Sequence, residues 1–505
     1  MTNAGLQKKR RAAVLDMPAE EFRELGHRLV DEIADFYAGL ARRAVTAGQS
    51  AEQIRALLGD RGLPQSGSAA SDVLERAADL VIEHSLHNGH PRFFGYITSS
   101  AAPLGALGDL LAAAVNPNVG GWQLSPVATE IECQTIRWIA ELIGYSRDAG
   151  GIMVSGGNMA NIVAFFAARK AKTDWEIREG GLGTGGLGLR VYCSRETHTW
   201  VQKAADLSGL GTNAIRWVDT DAEQRMDPAI LTTLIREDRA NGMTPFLVVG
   251  TAGTVSTGAI DPLAEIASLC RAENLWFHVD GAYGAPAAVL PELAPEFEGL
   301  ARADSVALDP HKWLYSPLEA ACTLVRDPRH LPEAFSFSPD YYQFDEGEGW
   351  EGRNFYEYGM QNSRGFRALK VWLLLLQAGR GGYEQMIRDD IALAHRIYAA
   401  AEAHPELEAV TCGLSIATFR FVPESLDWGA QGAADYLNEL NRALVIGLQR
   451  AGEVFVSNAV IGGRYLLRAC IVNFRTRSTD CDALAEIVAA SGRRLDREMR
   501  PSSLA

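Results

Sequence analysis

Apolar side chains recur at three- and four-residue steps from position 18 to about 58, with Phe22, Leu25, Leu29, Ile33, Phe36 and Tyr37 on one helical face. A stretch rich in Gly, Pro and Ser (59–71) predicts a connector, and a second helix is predicted over 72–87. Such an amphipathic arm cannot bury its stripe alone, so it must pack on the main body or on a partner subunit. Between about 150 and 325 the pattern changes. Short β-rich runs (151–154, 189–193, 214–218, 245–251, 275–280 and 305–308) alternate with helical ones, which predicts an α/β domain on a largely parallel sheet. In such sheets ligands sit outside the carboxyl ends of the strands. From about 383 onward the chain reads as helix (383–404), strand (415–421), helix (433–451) and strand (465–471). The predicted organisation is a helical N-terminal arm over 1–89, a large α/β domain over 90–382 and a small C-terminal α+β domain over 383–505.

Composition narrows the classes. A chain of 505 residues is too long for one ordinary core. No run of eighteen or more apolar residues occurs, so a membrane span is not expected. The net charge of −15 argues against a general nucleic-acid binder. Lys8-Lys9-Arg10-Arg11 is basic but has no apolar segment behind it, unlike a secretory signal. The cysteines, at 133, 193, 270, 322, 412, 470 and 481, form no Cys-x-x-Cys pair. Neither zinc nor a disulfide framework is indicated, and a reducing cytoplasm fits best.

The chemistry concentrates at strand ends. Lys312, in Asp309-Pro310-His311-Lys312-Trp313, follows an apolar run and can form a Schiff base with an aldehyde. Asp280, in His278-Val279-Asp280-Gly281-Ala282-Tyr283, ends another and can hold a proton on a heteroaromatic nitrogen. Either alone reads as well as a solvated strand end. Together they are the anchor and the ring partner that pyridoxal phosphate (PLP) needs. Ser155-Gly156-Gly157-Asn158-Met159-Ala160-Asn161 joins a strand to a helix, and its glycines with the helix N-terminus suit a phosphate, held at Gly157 and Asn158. Gly181-Leu182-Gly183-Thr184-Gly185-Gly186 matches a dinucleotide fingerprint formally, but it precedes a strand and reads as a loop. Asp261-Pro262 reads as a helix start.

These motifs resemble those of the PLP-dependent group II amino-acid decarboxylases, typified by aromatic-L-amino-acid decarboxylase, over about 17–492. The resemblance implies a fold-type I architecture, a mostly parallel central sheet flanked by helices, in a homodimer with its active sites at the interface. It implies α-decarboxylation of an L-amino acid to an amine and CO₂. In that likeness Lys312 anchors the cofactor, with Asp309 and His311 beside it. His198 stacks on the cofactor ring, Asp280 holds the ring nitrogen, and Ala282 lies flat against the ring. Thr254 belongs to a threonine-rich loop beneath the cofactor, with a turn-forming hydroxyl as the plainer alternative. Tyr341, in Pro339-Asp340-Tyr341, would protonate the substrate carbon after CO₂ leaves. Tyr96, Ile97, Ser99 and Trp122 fall in segments like the substrate pocket, where a core role is the alternative.

The chain departs from the likeness at four places. Asn158 stands where the family usually has Ser or Thr, Met159 where it has Glu, and Asp309 where animal members tend to have Asn. Gly120 replaces a phenylalanine of animal members, which suggests extra room. Apart from Arg92, no arginine falls in these segments, which favours a decarboxylase over an aminotransferase, since a tight clamp on the carboxylate would stabilise the wrong state. The expected substrate is aromatic, tryptophan ahead of tyrosine, phenylalanine or dopa. A non-aromatic amino acid, an aldehyde-forming reaction and a non-catalytic ligand-binding role stay open.

Overall fold

The computed structural model describes residues 13–183, 188–337 and 352–504. Contacts divide the chain into two units: residues up to His87 with Arg450–Glu453, and Asn88–Gln449 with Val454 onward. The first unit is helical. The run expected as one helix to 58 is two, Ala19–Gly39 and Ala51–Leu58, followed by Ala70–His84. Ser50 explains the second start. Its hydroxyl accepts from the Gln53 amide (3.2 Å) while the Gln53 side chain accepts from the Ser50 amide (2.8 Å), so two otherwise orphaned donors are satisfied.

The second unit holds two sheets. The larger has the spatial order Gly150–Val154, Ala321–Val325, Ser305–Leu308, Trp276–Asp280, Thr244–Thr251, Leu189–Ser194, Ile215–Val218. Ala321–Val325, which the sequence pattern did not predict, runs antiparallel to both neighbours, and the other pairs are parallel. Runs such as Phe246-Leu247-Val248-Val249 are buried on both faces, as helix-covered parallel strands must be. Register sets Thr251 beside Asp280 and Asp280 beside Ala307, so three side chains meet at the carboxyl edge.

The smaller sheet is richer than predicted. Its order is Phe93–Phe94, Phe455–Ile461, Arg464–Cys470, Ile416–Phe421, Leu407–Gly413. The hairpin between Ile461 and Arg464 turns through Gly462 and Gly463, both at positive φ (55° and 76°), a two-residue turn that other residues strain to make. Each sheet has its own apolar core. The helix expected from 383 begins at Ala368 and runs to Ala403, with a kink at Gly379 (φ 61°). Among the described residues no helix is long and apolar enough to cross a membrane.

Candidate active site

A cavity of about 480 Å³ opens at the carboxyl edge of the large sheet. Nine of the residues singled out from sequence line it: Ile97, Gly157, Asn158, His198, Asp280, Ala282, Asp309, His311 and Lys312. Ser155, Asn161, Glu196, Thr251, Gly253, Val255, Leu318 and Glu319 also line it and were not singled out.

The floor is a closed hydrogen-bond network. Asp280 accepts from the Trp200 indole N–H (2.8 Å) and from the Ala282 amide (3.2 Å). Two residues earlier on the same strand, His278 bridges the Ser305 hydroxyl (2.8 Å) and the Asn161 side-chain oxygen (2.7 Å). Asn161 in turn donates to the Gly157 carbonyl (2.8 Å), which ties the Asp280 strand to the first turn of helix Gly157–Lys172. Burial lowers the His278 pKa to about 4, against the opposing pull of Asp280, so the imidazole is neutral near pH 7. Asp261 closes the adjacent strand. Its carboxylate accepts from the amides of Thr251 and Met226, both at 2.7 Å, and burial pushes it up to about 6 against those bonds. It therefore ties Thr251 to Met226, and helix Leu263–Ala272 starts directly after Asp261-Pro262, as expected, without a side-chain cap.

The lysine turn is less fully satisfied. Lys312 Nζ lies 2.9 Å from Asp309 Oδ2, and His311 Nε2 lies 3.6 Å from the same oxygen. Asp309 Oδ1 is buried without a hydrogen-bond partner among the described residues. His311 Nδ1 is 2.6 Å from the Ala320 carbonyl, and burial lowers the pKa of the ring with Asp309 opposing. Behind the turn, Trp313 stacks on Tyr283 (centroids 4.9 Å apart), and Trp313 and Tyr315 both donate to Asp390 Oδ2 at 2.9 and 2.8 Å. Burial pushes Asp390 up to about 8 against these donors. His198 stands at the open rim, on the turn before helix Trp200–Leu207, where its Nδ1 accepts from the Trp200 amide (3.4 Å). The surrounding protein lowers its pKa, with the Asp280 carboxylate opposing.

Residues 52–421 match the pyridoxal-dependent decarboxylase conserved domain. The chain belongs to that family. It is 34% identical to an aromatic-L-amino-acid decarboxylase of Bacillus atrophaeus, over 94% of this chain and 98% of the relative. It is 28% identical to a phenylacetaldehyde synthase of a Rosa hybrid cultivar, over 90% of each. The crystal structure of Oryza sativa TDC with PLP and tryptamine superposes with a TM-score of 0.87 at 26% identity, covering 95% of this chain and 99% of that one. The protein is a PLP-dependent amino-acid decarboxylase with the fold-type I architecture.

The cavity of this decarboxylase fits that cofactor. Thr251 offers a buried hydroxyl with no partner among the described residues. Gly156 and Gly157 bring free helix N-terminal amides to its wall, where anions are favoured. Lys312 supplies the amine, and Asp280 the carboxylate for a ring nitrogen.

Four expected site residues lie outside the lining. Thr254 uses its hydroxyl on its own turn, 2.9 Å from the Thr257 hydroxyl and 3.2 Å from the Ala259 amide. Ser99 is buried and donates to the His311 carbonyl (2.9 Å), so it braces the lysine turn from behind. Tyr96 is 53% exposed beside Phe455, its carbonyl accepting from Arg468 (2.8 Å). The Trp122 indole donates to Glu130 (2.9 Å). Gly120 gives no extra room, since a Cβ there would stand 2.3 Å from the Asn362 carbonyl. Met159 is partly buried against the large core, which is what stands in place of a carboxylate. Arg92 is held by Asp480 (3.3 Å). Tyr341 lies outside the described residues.

Proposed function

We propose that this decarboxylase acts on an aromatic L-amino acid, tryptophan ahead of tyrosine, phenylalanine and dopa, releasing the amine and CO₂. The observation that carries the reading is its similarity, over nearly the whole of both chains, to an aromatic-L-amino-acid decarboxylase. Bound in the cavity, PLP supplies an aldehyde that captures the substrate amine and a protonated ring that accepts the electron pair left by the departing carboxylate. Asp280 keeps the proton on the ring nitrogen, and Trp200 and the Ala282 amide fix that carboxylate in place. Gly157, Asn158 and Thr251 would hold the phosphate end. Lys312 would anchor the cofactor and free the product, His198 would cover the ring from the open rim, and Tyr341 would deliver the final proton to the substrate carbon.

The same proposal includes a cytoplasmic homodimer. Helix Pro103–Val115 leaves Leu107, Leu110, Leu111 and Val115 exposed, a row of apolar side chains suited to burial against a second copy. An aldehyde-forming reaction is the second reading, favoured by the similarity to a phenylacetaldehyde synthase. Assaying amine, aldehyde and CO₂ from a panel of L-amino acids separates the two. Amine with CO₂ from tryptophan or another aromatic substrate is expected, and aldehyde without amine would move the protein to the second reading. Tyr341→Phe should keep cofactor binding and shift product from amine toward aldehyde. An unchanged amine yield would remove Tyr341 from the mechanism.

A further inference from the structure

On the reading given above, the cofactor's phosphate belongs at Gly157 and Asn158, and the fold puts a carboxylate at the same place. Asp309 is 1% exposed. A Cβ on Gly157, the first residue of helix Gly157–Lys172, would come within 2.6 Å of Asp309 Oδ2, so the acid rests directly against the phosphate cradle. Its Oδ1 has no hydrogen-bond partner among the described residues. Among the described residues Lys312 provides its one short ion pair, at 2.9 Å.

The neighbours cannot balance a second anion. The His311 nitrogen nearest Asp309 is Nε2, at 3.6 Å, whereas Nδ1 lies 2.6 Å from the Ala320 carbonyl, a contact that favours the ring proton there over acceptance from the Ala320 amide at 3.3 Å. A neutral ring so arranged offers Asp309 an acceptor, not a donor. Among the described residues His198 and Cys322 also feel the Asp309 charge, and neither is hydrogen-bonded to it. Lys312 supplies at most one positive charge, whether free or bonded to the cofactor aldehyde, against the several negative charges of a carboxylate and a phosphate together. A phosphate and a carboxylate side by side in a buried site cannot both stay fully ionised.

We infer that Asp309 holds the cofactor's phosphate through one shared proton, taken from solvent when the phosphate enters. The step makes a single O–H···O bond between carboxyl and phosphate; the bond broken is that of the proton's donor, a buffer acid or hydronium, whose conjugate base stays in solution. The asparagine that animal relatives tend to carry here would make the same bond through its amide N–H, without any proton uptake. Asp309 is then the residue that makes cofactor retention depend on pH. Affinity for PLP falls by up to about tenfold per pH unit where both anions are ionised when apart. Pyridoxal, which has no phosphate, shows no such Asp309-dependent term.

Calorimetry of cofactor-stripped protein tests this, with PLP and pyridoxal titrated at pH 7.5 in two buffers of different ionisation enthalpy. Wild type should take up about one more proton with PLP than with pyridoxal. Asp309→Asn should lose that difference, keep the absorbance band near ~420 nm, and show a PLP affinity that varies with pH only as its pyridoxal affinity does. No difference between the two titrants in wild type, or an undiminished difference in Asp309→Asn, overturns the inference. The wild-type comparison stands on its own should the variant not fold. Absence of the ~420 nm band in wild type given PLP would instead overturn the cofactor reading on which the inference rests.

Discussion

The two ends of the cavity are built differently. The cofactor end is made of strand termini. Asp280, Thr251 and Ala307 are neighbours in register, and His278, Asn161 and Ser305 tie those strands to the phosphate-side helix. The other end, which we assign to the substrate, is made of connecting segments, including Ile97, Val255, Leu318 and Glu319, and Leu318 is 60% exposed. Strand ends in a parallel sheet cannot move without breaking ladders, whereas a connecting segment can change its side chains at little cost to the fold. One scaffold can therefore keep one cofactor and vary the substrate.

Substitutions at the two ends should separate sharply. Lys312→Ala should lower amine formation by more than about 10⁴-fold and remove the absorbance near ~420 nm, read by turnover and spectrum on one sample. Behind the phosphate-side strand, Arg364 and Glu132 form a fully buried ion pair, and Arg364 also donates to the carbonyls of Met153 (2.6 Å) and Val119 (2.8 Å). Arg364→Leu strands the Glu132 carboxylate and should cost about 3–5 kcal/mol in denaturant unfolding. A loss below about 1 kcal/mol would mean that the strand does not depend on the pair.

Asp390 gives a pH signature. Burial holds its carboxyl at about 8, so between about pH 4 and 8 the folded chain keeps a proton that the unfolded chain has released. Stability contributed by this group is thus present at the acid end and falls as pH rises through the window. Asp390→Asn should flatten that fall by about 1–2 kcal/mol between pH 5 and 8, compared by unfolding midpoints at several pH values. The smallest effect belongs to the substrate end. Leu318→Ala should leave PLP affinity unchanged and shift the kcat/KM ratio between tryptophan and phenylalanine by about tenfold. A tenfold loss of PLP affinity in that variant would erase the distinction between the two ends.

The cofactor end was legible in the sequence because local signals coincide there. Apolar runs stop at Asp280 and Lys312, and glycines follow a strand at Gly156 and Gly157. The partners that hold those residues were not legible. Asp390 sits 77 positions past Trp313 on a helix that looks ordinary, and only folding brings its carboxylate under the lysine turn. Thr251 was passed over for Thr254 because a threonine-rich segment does not disclose which hydroxyl closes its own turn. The break in the arm could have been read from Ser50 and Gln53, whose spacing is that of a capping box. Gly120 misled because an absent side chain looks like space until the Asn362 backbone is found filling it.

Helix Ala368–Ala403 has a mechanical consequence. Beyond its kink at Gly379 it packs on strands Leu407–Gly413 and Ile416–Phe421 of the small sheet, and the same stretch carries Asp390, which grips Trp313 and Tyr315. The small sheet thus acts as a counterweight to the reactive lysine. A tilt of that sheet pulls first on an indole and a phenol, and only through them on the amine.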